Sequence, residues 1–135
     1  MEIKDFKIGQ EVMILRPLLR GREAVVPAVV TKVGRKYVWA RMSDNRMDVR
    51  FENGADQGYG DRFIEHTQYA PEYFLYPTLQ QANDAMEVYE LQQWLRRTVQ
   101  WYTIDTIRTF TLEQLRAVKE ILDPQREGAK KNAEQ

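Results

Sequence analysis

Residues 25–42 read VVPAVVTKVGRKYVWARM, and their reading decides the fold. Two runs rich in Val and aromatic residues flank Gly34-Arg35, the pattern of two β-strands joined by a tight turn. Glycine at the first central position suits a type II′ turn, which needs a positive φ there. A Gly34-Arg35 loop predicts a register: Val33 opposite Lys36, Thr31 opposite Val38, Val29 opposite Ala40. Side chains alternate along a strand, so these residues and Met42 share one face, the expected core. The other face carries Ala28, Val30, Lys32, Tyr37, Trp39 and Arg41. Either a neighbouring element covers its apolar part, with Lys32 and Arg41 solvated at the edge, or it is an exposed aromatic and basic platform for a base or a partner protein. A one-residue change of register would exchange the two faces.

Towards the N-terminus, IKDFKIGQEVMIL (residues 3–15) predicts an entry segment and a first strand. Phe6, Ile8, Val12 and Ile14 fall at even spacing, with Gly9-Gln10 as a bend. Residues 16–24, RPLLRGREA, form a loop with Arg16, Arg20 and Arg22. It is either simply solvated or contacts phosphate or an acidic surface.

Beyond the hairpin, Ser43-Asp44-Asn45 signals a turn. In RMDVRFE (46–52), Met47, Val49 and Phe51 alternate with charged residues, the pattern of a half-buried strand. The loop from Asn53 to Asp61 is rich in Gly, Asn and Asp but lacks the EF-hand spacing and its terminal Glu. RFIEHTQY (62–69) is a weak strand. His66, the only histidine, has no nucleophile or ligand set near it in sequence. Residues 73–76, YFLY, form an extended apolar run closed by Pro77.

From Thr78 the period changes. Thr78 and Gln81 form a capping-box pattern, and apolar residues at three- and four-residue spacing predict a helix from about Leu79 to about Val99. Residues 100–110 are ambiguous between helix and irregular connection. A second capping box, Thr111 and Gln114, opens a helix that Asp123-Pro124 should end. The expected organisation is a barrel over 1–76, a helical part packed on it over 77–123, and a disordered tail over 124–135.

Formal net charge is zero and there is no cysteine. Disulfides and Cys-based zinc sites are excluded, and the chain fits a reducing cytoplasm. The first residues, MEIKDFKIGQEV, are too polar for a signal peptide, and no apolar run approaches the ~20 residues that span a bilayer. The charge is unevenly spread: residues 1–50 hold 11 Lys/Arg and 6 Asp/Glu, net +5, and residues 51–100 hold 3 and 8, net −5. A basic first segment thus precedes an acidic middle one.

Four or five short strands at intervals of about ten residues predict an α+β fold: a small antiparallel barrel with two C-terminal α-helices. FKIGQEVMIL and AVVTKVGRKYVWARM resemble the opening strands of SH3-like barrels of the KOW and Tudor type. Pro27-Ala28 stands where the KOW pattern has its glycine, and no functional residue is carried over. The whole chain looks like the barrel-plus-helix accessory proteins encoded by phages and other mobile elements. That resemblance implies a non-enzymatic protein that binds or inhibits a nucleic-acid-handling host protein, for example an anti-CRISPR-type inhibitor.

On that reading Asp56, Asp61 and Glu65 are the acidic partner-binding residues, imitating nucleic acid against a basic channel. Tyr73, Phe74 and Tyr76, or Trp101 and Tyr102, would anchor an interface or a homodimer. The alternative is direct binding of RNA or DNA by Arg16, Arg20, Arg22, Arg35, Lys36, Tyr37, Trp39 and Arg41, cations on phosphate and an aromatic on a base. No carboxylate pair sits in a frame with a base or a phosphate loop, so no enzyme, cofactor, metal site or membrane partner is expected.

Overall fold

The computed structural model describes residues 1–17 and 24–134. It contains six strands, not four or five: β1 (Glu11–Leu15), β2 (Val25–Val33), β3 (Val38–Met42), β4 (Asp48–Asn53), β5 (Phe63–Glu65) and β6 (Phe74–Tyr76). Each is antiparallel to the next, and β6 returns to β1 through Met13↔Tyr76, Ile14↔Leu75 and Leu15↔Phe74, closing a barrel. Closure removes the unpaired edges that an open sheet would expose. The additional strand is the YFLY run; its Leu75 is fully buried.

The barrel interior is filled by Val12, Ile14, Val26, Ala28, Val30, Val38, Ala40, Met42, Phe51, Phe63 and Leu75. The N-terminal segment adds Ile3 and Phe6, and the Phe6 ring meets Phe63 edge-on at 4.9 Å between centroids. Ile8, expected inside, is exposed, as is Met47, which precedes β4.

The β2–β3 register departs from the expected one. The Gly34 N–H donates to the Tyr37 carbonyl at 2.8 Å, so Arg35-Lys36 is the centre of the turn. Gly34 does not have a positive φ. Val33 faces Val38, Lys32 faces Trp39 and Val30 faces Ala40, with a bulge between Val30 and Lys32. The bulge inserts one residue and reverses the parity of β2. Ala28 and Val30 therefore point inward while Val29 is exposed, and the β3 residues Val38, Ala40 and Met42 face the core as expected.

α1 (Leu79–Trp101) is capped by Thr78, whose hydroxyl accepts from the Gln81 N–H at 3.2 Å. Residues 102–111 hold a short α2 (Ile104–Ile107), capped by Thr103. α3 (Leu112–Glu134) opens with both halves of its capping box: Gln114 N–H to Thr111 Oγ1 at 3.2 Å and Thr111 N–H to Gln114 Oε1 at 3.0 Å. It continues past Asp123-Pro124, where the sequence predicts a stop. Proline's own φ is helical, and its lost N–H leaves a carbonyl on an exposed turn that water can satisfy. The chain forms two compact units, Met1–Leu91 and Gln92–Gln135. In the first, Ala82 of α1 is buried. No helix among the described residues is long and apolar enough to cross a membrane.

Candidate nucleic-acid interface

The shifted register places Lys32, Trp39 and Arg50 in one row across β2, β3 and β4. All three point away from a core that takes their neighbours Val38, Ala40, Val49 and Phe51. The row extends to His66, whose backbone N–H donates to the Arg50 carbonyl at 2.8 Å. Tyr37, at the end of the hairpin, stands beside it.

These side chains interlock. Lys32 Nζ lies 4.6 Å from the Trp39 ring centroid and Arg50 Cζ 4.7 Å from that of Tyr37, with Lys36 Nζ at 5.7 Å from the same ring. The Tyr37 ring meets Trp39 at 6.0 Å and His66 at 5.0 Å, both edge-on. Such cation–π contacts each contribute roughly 0.5–1 kcal/mol at exposed sites and hold the rings in place. Both rings are half-buried, while Lys32, Lys36 and Arg50 are exposed.

A buried carboxylate supports the row. Glu52 accepts from His66 Nδ1 at 2.9 Å through Oε2 and from the Gln57 amide through Oε1. An N–H on Nδ1 leaves Nε2 of the neutral imidazole as an acceptor. Next to the row, Arg35, Lys36 and Lys4 share a hollow of about 420 Å³ with Glu2, Asp56 and Glu52. Fixed cations beside half-exposed rings can hold a phosphate backbone and present a stacking surface to a base.

Of the residues named from sequence, Tyr37, Trp39 and Lys36 belong to this row or border it. Arg35 is exposed at the turn centre, and Arg41 is outward-facing but tied to Asp48, Nε to Oδ1 at 2.9 Å. Arg16 is buried rather than displayed on a loop: its Nη1 lies 3.0 and 2.8 Å from the two Asp44 carboxylate oxygens. Arg20 and Arg22 lie outside the described residues. Of the acidic set, Asp56 lines the hollow beside Arg35, Asp61 lines another with Tyr76 and Gln81, and Glu65 accepts from the Glu72 N–H at 3.3 Å.

Arg50, Glu52 and His66 were missed as site residues. For Arg50 and Glu52 the signal was the outward half of the β4 alternation, Asp48-Arg50-Glu52. It could be joined to Trp39 only by knowing that β3 pairs with β4 in the register Trp39↔Arg50.

Comparison with known proteins finds no matching curated protein and no matching solved structure. One family model, the phage ProQ C-terminal-like domain, matches residues 1–127. The match takes in the whole barrel and most of the helical part, and the chain belongs to the phage ProQ C-terminal-like domain family.

Proposed function

We propose that this phage-family protein is a non-enzymatic binding module, with a barrel of the SH3-like type, that holds single-stranded nucleic acid on the outer face of β2, β3 and β4. One observation carries the reading: Lys32, Trp39 and Arg50 stand in register on three adjacent strands, flanked by Tyr37 and His66. In this reading Trp39 and Tyr37 stack on bases, and Lys32, Lys36, Arg35 and Arg50 contact phosphates. Zero net charge is compatible with it, because Debye screening makes the local set of cations matter more than the distant acids. The other reading, capture of a nucleic-acid-handling host protein by acidic mimicry, draws less support. Asp56 and Asp61 line different hollows and Asp56 shares its own with three cations.

Fluorescence anisotropy with labelled single-stranded RNA, single-stranded DNA and duplex DNA tests the proposal. About four phosphate contacts on a single strand predict a roughly 50-fold loss of affinity between about 50 and about 200 mM salt. Arg50→Glu should weaken binding at least tenfold at the lower salt. No binding of any strand at low salt would remove the reading, and a pull-down for a host protein would then decide the alternative.

A further inference from the structure

Within itself the helical unit leaves its apolar surface uncovered. From Gln92 to Asp123 no residue is buried. Trp94, Leu95, Val99, Trp101, Ile104 and Ile107 are between 43% and 81% exposed, and Leu112, Leu115, Val118, Ile121 and Leu122 of α3 between 41% and 68%. Their spacing is that of amphipathic helices, whose apolar stripe normally lies against a second layer. The ring contact of Tyr102 with Phe110, at 5.3 Å, covers little of it.

We propose that the helical unit pairs with the same unit of a second copy, forming a closed two-fold dimer whose core is made by these stripes. Area is the first argument. The exposed apolar side chains of 92–122 together present on the order of 1,300 Å² per copy, above the ~800 Å² that each partner contributes to a standard stable interface. Complementarity is the second. The surface that matches a long apolar stripe must itself be long and apolar, and the same stripe on a second copy is such a surface. The first unit fills its own core; of its exposed large apolar residues, Leu79, Val88, Tyr89 and Leu91 lie on α1, the helix that carries on into the stripe, and Ile8, Val29, Met47 and Tyr69 are scattered singly along the sequence. Charge is the third: residues 92–135 hold 8 Lys/Arg and 6 Asp/Glu, so two copies meet with little net repulsion. An isologous contact of this kind closes at two subunits. The inference stands independently of the nucleic-acid reading.

Sedimentation velocity of the full chain tests it. The expected species has twice the 16.0 kDa chain mass. Leu115→Glu with Leu122→Glu should restore the single-chain mass; both side chains are exposed in the isolated chain, so the substitutions spare its own core. A monomer across the concentration range would overturn the proposal, as would a dimer that survives the double variant or an open-ended series of larger species. Should the variant misfold, amide hydrogen exchange of the unaltered protein decides instead. Protection over 92–122 that rises with concentration supports the dimer, and protection independent of concentration sinks it.

Discussion

Lys32 and Trp39 face each other across β2 and β3, and the ammonium of one stands 4.6 Å from the ring centroid of the other. The pair exists because the turn centres on Arg35-Lys36, which sets Lys32 opposite Trp39, while the bulge after Val30 turns the earlier half of β2 inward. Trp39→Ala should lower affinity for single strands by about 1–3 kcal/mol, the range for losing one base–aromatic stack. Since Trp39 lies outside the core cluster, its thermal midpoint should fall only slightly. Lys32→Ala should weaken binding less and flatten its salt dependence. A Trp39→Ala protein that folds and binds at full strength would show that the face is not the interface.

Arg16 and Asp44 predict the opposite separation. The guanidinium is buried and the carboxylate, 47% exposed, reaches it from the β3–β4 turn. Asp44→Ala removes a partner of a buried charge and should cost about 1–3 kcal/mol in chemical denaturation. Nucleic-acid affinity measured well below the unfolding midpoint should stay within about twofold. A large loss of affinity without loss of stability would return Arg16 to the binding surface.

What the sequence made legible was local. The Thr78 cap, the Thr111–Gln114 capping box, the Ser43-Asp44-Asn45 turn and the alternation around Val49 and Phe51 depend on neighbours within a few residues, and each stands in the structure. Long-range pairing was harder to read. The bulge between Val30 and Lys32 leaves no mark in a run of β-branched residues, yet it decides which half of β2 is core. β6 is three residues long and carries no alternation; it becomes a strand by pairing with β1 and β5. The site suffered for the same reason. Its aromatics lay in one hairpin and were visible together, but Arg50 and His66 reach Tyr37 through two further pairings.

Gly54 should tolerate no side chain. A Cβ there would lie 2.9 Å from the Arg62 carbonyl oxygen, 2.9 Å from Tyr59 Cβ and 3.0 Å from Ile64 Cγ2. The Gly54 N–H also donates to that carbonyl at 2.8 Å, so the two segments cannot part without losing the bond. Gly54→Ala should therefore destabilise by about 1–3 kcal/mol, the usual range for overpacking. Urea unfolding would show a lower midpoint with an unchanged slope. Gly34→Ala is the control: its nearest neighbours would be 3.4 and 3.5 Å away, ordinary contacts, and its midpoint should barely move.

Tyr76 makes the barrel sensitive to alkali. Burial pushes its phenol above the ordinary value, while the Arg62 guanidinium pulls the other way by its charge and a hydrogen bond. A raised pKa means that the folded state holds the proton more tightly than the unfolded chain. The stabilisation is fully present below about pH 10, the unfolded tyrosine value, and is lost as pH rises through the higher folded one. The consequence falls on barrel closure, because Tyr76 pairs with Met13 where β6 meets β1. Unfolding midpoints measured from neutral pH to well above the ordinary tyrosine range should fall at the alkaline end, and Tyr76→Phe should fall less steeply there. Equal slopes for the two proteins would show that another group governs the alkaline transition.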